Sequence, residues 1–165
     1  MRISGPVLDA PDVAALTRFY EQLLGWEVED IDGPRPGRPA GDGWSRLRPA
    51  DGSTKIEIQF EEHYVRPVWP GAPGTQGMQI HLDIWVEDVA AGVAWATACG
   101  ATEAEHQPED RDHDRLRIML DPLAIRSASG PDRDRAGAQN CSVRIAAVGG
   151  ARHRVGRRRR GPFRA

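Results

Sequence analysis

The chain has 165 residues, 39% hydrophobic and 28% charged, with a formal net charge of −2. That is enough for one domain with a core, or for two small halves sharing one, at a composition ordinary for globular proteins. Two cysteines make no disulfide framework, and no apolar run reaches the length of a membrane span or a secretory leader, so a cytoplasmic protein without a membrane partner is expected.

From the N-terminus, Ile3–Ala10 reads as a strand. Asp12 is a good N-cap for a helix on which Val13, Leu16, Tyr20, Leu23 and Leu24 form one apolar stripe. Trp26–Asp30 predicts a second strand and Gly33–Gly43 a loop rich in Pro and Gly. Trp44–Arg48 and Lys55–Phe60 predict two more strands, joined by a turn at Ala50-Asp51-Gly52. Arg66–Gly77, with three prolines and three glycines, is a linker. Beyond it come strand Gln79–Val86, helix Val89–Cys99, strand Ala101–Glu105, a loop through Asp114 and strand Arg115–Leu120. One further strand is due after Asp121-Pro122.

The tetrapeptide Asp-Val-Ala-Ala occurs at Asp12–Ala15 and again at Asp88–Ala91, each time opening a helix that closes near a glycine, Gly25 or Gly100. A period this long indicates two copies of one βαβββ unit: repeat one at about residues 1–64, repeat two at about 78–130. The fold class is therefore α+β. Neither copy can bury both faces of its sheet alone, so the two pack together and leave a cleft.

Strand alternation sorts the side chains. Ile80, Leu82, Ile84 and Val86 share one face, as do Ile56, Ile58 and Phe60, and these belong beneath the helices. The opposite face carries His81, Asp83 and Trp85 on one strand and Lys55, Glu57 and Gln59 on another. It reads either as a solvated surface or as the wall of a ligand cavity. His81 and Glu57 suit a general acid/base pair or hydrogen bonding to a polar ligand. A strand histidine tied to its neighbours is the plain alternative. Arg46, Arg48, Arg115 and Arg117 would hold an anionic ligand where they face inward, and are otherwise solvent-facing. Trp44 and Trp85 could wall a cavity or pack at an edge.

The segments Leu8–Asp12, Phe19-Tyr20, Leu23–Trp26, His81–Asp88, Gly100-Ala101 and Leu120–Pro122 resemble the glyoxalase/bleomycin-resistance/extradiol-dioxygenase superfamily, also called vicinal oxygen chelate proteins. The resemblance covers roughly residues 3–122 and is nearest to the small glyoxalase-like domain proteins of actinobacteria. It implies paired, curved mixed sheets around a cleft, a small-molecule ligand and a homodimer. It also implies, as the leading expectation, an enzyme of lyase or dioxygenase-related type, with a non-catalytic sequestering protein of the antibiotic-resistance type as the alternative. Metal-dependent relatives place one ligand on each of four strands. The matching positions here are Gly5, Glu57, His81 and Ala128, and two of these cannot coordinate. No cofactor is expected. A divalent ion, if held at all, would use Glu57 and His81, with Asp83 two residues further on the same face.

The chain is electrically split near Ser129-Gly130-Pro131. Residues 131–165 contain ten arginines and two aspartates, including Arg157–Arg160, so residues 1–130 carry the acidic excess. The domain is expected at 1–130 and a basic disordered tail at 131–165, without a specific nucleic-acid partner, since aromatic interleaving and a recognition motif are both missing. Where the resemblance calls for a last strand reading Ala-Gly-His-Pro-Phe-Cys-Leu, this chain reads Leu123-Ala124-Ile125-Arg126-Ser127-Ala128-Ser129. One choice of codons for Pro122–Pro131, read from the third base of the Pro122 codon, spells the expected strand and continues Trp-Pro. A one-nucleotide shift of frame would thus account for both the lost last strand and the arginine-rich tail.

Overall fold

The computed structural model describes residues 3–123 and 142–146. Strand β1 (Val7–Ala10) leads into helix α1 (Val13–Leu24), followed by β2 (Glu27–Asp32), β3 (Trp44–Arg48) and β4 (Ile56–Phe60). The second unit repeats the order with β5 (Leu82–Trp85), α2 (Val89–Ala98), β6 (Thr102–Glu103), β7 (Leu116–Leu120) and β8 (Ser142–Ala146). The two helices begin alike: Asp12 accepts from the Ala15 amide at 2.9 Å and Asp88 from the Ala91 amide at 2.7 Å. Each cap satisfies a donor that the first helical turn cannot, worth about 1 kcal/mol. Gly25, at φ 63°, closes α1 by donating to Glu21 O at 2.9 Å.

Each unit forms a four-stranded sheet with the same spatial order, β1-β4-β3-β2 and β5-β8-β7-β6. The α+β architecture of two βαβββ repeats with mixed sheets is as expected. In the first sheet β4 runs parallel to β1, with Val7 opposite Glu57 and Asp9 opposite Gln59, and antiparallel to β3. In the second sheet the senses are reversed. β8 is antiparallel to β5, with Leu82 opposite Ile145, and parallel to β7, with Leu116 opposite Ser142. A hairpin from β7 could enter the slot only antiparallel to β7. Parallel pairing rules out a hairpin between β7 and β8, and residues 121–141 separate the two strands in sequence.

Two expectations are corrected here. The last strand is not missing: its slot is taken by Ser142–Ala146, inside the segment expected to be wholly disordered. The signal overlooked was the alternation Ser142-Val143-Arg144-Ile145, which sets two β-branched residues at a period of two. The replacement sequence expected at Ala124–Ser129, and residues 131–141 and 147–165, lie outside the described residues. Several strands are also shorter than expected. β1 pairs only from Val7 onward, and Ile3, placed in that strand, is exposed.

One main core joins the repeats. Leu8, Ala10, Val13, Leu16, Phe19, Tyr20, Leu47, Ile56 and Ile58 come from the first, while the second adds Ala96, Ala101 and Met119, with Ile80, Leu82, Ile84 and Val86 only partly buried. A smaller cluster of Ala104, Ile118 and Leu120 is covered by Trp69 and Met78, so the linker folds over the second sheet instead of merely joining the halves. Among the described residues, hydrogen bonds tie the repeats together, one of them from the Tyr64 hydroxyl to Leu123 O at 3.3 Å. The Tyr20 hydroxyl donates to the buried Asp121 Oδ2 at 3.2 Å, and Trp95 Nε1 to Leu23 O at 3.0 Å. Burial, then the neighbouring Asp121 carboxylate, raises the Tyr20 hydroxyl well above its usual titration range. Among the described residues no helix is long and apolar enough to cross a membrane.

Candidate functional site

The face of the first sheet away from α1 is a lattice of charges set by strand register. Arg46 on β3 stands opposite Glu57 on β4, and Lys55 precedes Glu57 by two residues on the same face. Glu57 Oε1 accepts from Lys55 Nζ at 2.7 Å and from Arg46 Nε at 3.0 Å. Arg46 also reaches Glu29 at 3.4 Å, and Arg48 Nε lies 3.0 Å from the other oxygen of Glu29. The Arg46 guanidinium sits 4.8 Å from the centroid of the Trp44 ring. Beside this group, Gln59 Nε2 donates to Asp9 Oδ1 at 2.7 Å. Hydrogen bonding from Lys55, opposed by burial and reinforced by Arg46, holds the Glu57 carboxyl below the usual carboxylate range.

His81 and Asp83 lie on β5 and the residues leading into it. His81 Nε2 is 3.8 Å from Asp83 Oδ1, with both side chains 43% exposed. Trp85, two residues on, is 68% exposed. Glu57 and His81 thus keep separate partners on separate sheets. Arg117 does not join either group. It shares a strand face with Met119, which packs in the main core on the α2 side, and it pairs with Glu103 at 3.2 Å while donating to His113 O. The inward face of β7 carries Ile118 and Leu120 under Trp69 instead. Of the residues expected at the site, the fold therefore groups Arg46, Glu57 and Gln59 on one sheet face and His81, Asp83 and Trp85 on another strand, and sets Arg117 apart.

Among the described residues the donor set does not fit a resident metal. A cation at Glu57 would have to displace an ammonium and a guanidinium already sharing its oxygen. Gly5, the first-strand ligand position, has φ 152°, and a Cβ there would lie 2.3 Å from Lys55 O. No coordinating side chain can be placed at that backbone without moving β4. Ala128 lies outside the described residues. Among the described residues no three His, Cys, Asp or Glu side chains gather closely enough to hold a metal ion.

A cavity of about 550 Å³ opens between the end of α1, the start of β4, strand β5 and helix α2. Trp26, Trp85 and Trp95 are its aromatic walls, Leu82 and Ile84 contribute aliphatic surface, and Lys55 and Asp83 are its charged residues. That size and apolar lining with few polar groups are usual for a small-molecule site, for which about 300–1,000 Å³ is ordinary. Reading single strands identified Trp85 and Asp83 and set Lys55 on the polar face, but missed Trp26 and Trp95. The signal for Trp95 was the repeat itself, which sets it opposite buried Phe19 with smaller residues around it.

The glyoxalase-like domain family matches the chain over residues 6–124. No curated protein sequence matches it. Among solved structures, a gene product from Arabidopsis thaliana is similar at 13% identity, covering 88% of this chain and 98% of that one, with a TM-score of 0.47. A glyoxalase/bleomycin resistance protein from a Streptomyces species is similar at 13% identity, covering 87% and 99%, with a TM-score of 0.38. At those values neither likeness bears on what this chain binds.

Proposed function

The chain belongs to the glyoxalase-like domain family, and from that premise we propose that it is a small-molecule-binding protein of the glyoxalase/bleomycin-resistance type that works without a resident metal. The observation that carries the reading is the state of Glu57. Its carboxylate is neutralised by Lys55 and Arg46 and held below its ordinary titration range. General acid/base catalysis favours a group that titrates near the working pH. Glu57 is driven away from that condition and instead fixes two cations in position. A carboxylate held in that way is a fixed part of the framework rather than a group that exchanges protons with a ligand, which favours the sequestering role.

A second reading, turnover of lyase type, has its own observation in the proximity of His81 and Asp83, an exposed pair that could orient and move a proton. A homodimer, implied by family resemblance, belongs to the same proposal and is checked by light scattering. The central test is a metabolite screen by thermal shift on the purified full chain, with and without Zn, Ni, Mn and Fe. Metal-independent stabilisation by a small molecule is expected, because a ligand that binds only the folded state raises the melting temperature. Stoichiometric bound metal that disappears in Glu57→Ala or His81→Ala would overturn the metal-free reading. Conversion of the hit compound, abolished in His81→Ala, would favour the enzyme.

A further inference from the structure

The cavity between the repeats has its origin in the sequence repeat. Matching Asp12–Ala15 to Asp88–Ala91 residue by residue sets Leu16 opposite Gly92 and Tyr20 opposite Ala96. In the first repeat both large side chains are fully buried. In the second, both small residues line the cavity. The same alignment sets buried Phe19 opposite Trp95, which is 55% exposed and has its indole N–H satisfied by Leu23 O of α1. Glycine is the poorest helix former after proline, so Gly92 in mid-helix runs against local preference and leaves space in return. The cavity is thus a hollow where the homologous helix has a filled core.

We propose that this hollow binds an uncharged, planar aromatic molecule, with Trp26, Trp85 and Trp95 as its aromatic walls and the aliphatic side of β5 as its floor. The inference rests on the reading of the chain as a small-molecule binder and names the chemical class. Charge decides the class. The charged lining residues, Lys55 and Asp83, are opposite in sign, and each has a partner of its own, Glu57 at 2.7 Å and His81 at 3.8 Å. The two formal charges of the lining therefore sum to zero, while indole faces favour offset or edge contacts with another ring.

The probe is uncharged N-phenyl-1-naphthylamine, titrated into the full chain and followed by its fluorescence. Saturable one-to-one binding is expected, weakened at least tenfold in Gly92→Leu and in Ala96→Leu, each of which returns bulk to the hollow. A readout on the wild-type chain stands whether or not those variants fold. The protein has five tryptophans, and the indole N–H resonances of Trp26, Trp85 and Trp95 should shift on adding probe while those of Trp44 and Trp69 stay. Unchanged affinity in folded filled variants, or shifts centred on Trp44, would overturn the inference. So would indole shifts that follow dilution rather than probe, which would make a second copy of the chain the occupant. If the probe fails to bind but the metabolite screen finds another ligand, the aromatic hollow is wrong and the binder reading survives. If neither binds, the binder reading itself fails.

Discussion

In the first repeat Leu16 and Tyr20 are packed without exposed surface among Leu8, Leu47 and Ile58, and β4 closes the sheet by a hairpin from β3. In the second repeat Gly92 and Ala96 stand at the same helical positions beside a cavity, and the slot equivalent to β4 is filled by a distant segment running the other way. The caps, the strand order and the placement of the helix are shared. What differs is how much apolar volume each unit commits to its own core. Duplication supplied two equal frames; packing made one of them a foundation and left the other hollow enough to hold something else.

The sharpest way to break this comparison is a matched pair of core truncations. Leu16→Ala should cost about 2–5 kcal/mol in chemical denaturation, the range for a fully buried leucine, while Ile84→Ala, partly buried beside the cavity, should cost less than half as much. Equal losses would mean that the second repeat is as tightly packed as the first. Next comes the last strand. Replacing everything after Pro122 by the frame-restored Ala-Gly-His-Pro-Phe-Cys-Leu-Trp-Pro should raise stability by several kcal/mol, at roughly 1.5–3 kcal/mol for each large apolar side chain buried. If the two forms melt together, β8 in its reversed sense already pairs as well. Resequencing the gene tests the origin of the tail, and a continuous frame with no nearby shift that spells the expected strand removes the idea.

Smaller effects probe the charged lattice. Glu57→Gln should cost about 1–3 kcal/mol near neutral pH, as expected when hydrogen bonds between charged groups are weakened. Because the folded protein holds the Glu57 carboxyl below its ordinary value, the pairing contributes above that range and is lost as pH falls through the depressed value. Wild-type melting should therefore drop below about pH 4, and the loss should be shallower in the Gln variant. The smallest change in stability is expected for His81→Ala, within about 0.5 kcal/mol for an exposed side chain, and on the turnover reading it is accompanied by loss of conversion. A clear drop in melting temperature with conversion unaltered would make His81 structural.

The elements that could be read from sequence were those whose determinants are local. Asp12 and Asp88 announce their helices because an N-cap acts within three residues, and the Ile80–Val86 alternation fixes which side faces the core. The candidate site was legible only in part, because its geometry comes from register between strands. Glu57 was identified, but its engagement by Arg46 depends on β3 lying opposite β4. The facing of Arg117 stayed open because alternation within β7 does not say which face is inward. The anchoring residue there is Met119, which shares the face of Arg117, while Trp69 from the linker covers the other face. β8 was missed because a strand of five residues carries too little local signal against an arginine-rich background.

The reversed β8 also sets a timetable for the molecule as it is made. The first sheet has all its strands once Phe60 has been synthesised, and β4 follows β3 almost at once. The second sheet cannot close until Ala146 is added, well after Leu120 has completed β7. At about 5–20 residues per second, that interval is roughly one to five seconds. Once β7 has left the ribosome and until β8 follows it, β5 and β7 have backbone edges on either side of an empty slot, open to whatever strand is nearby. On a ribosome followed closely by others, the nearest such strand belongs to another nascent copy of the same chain.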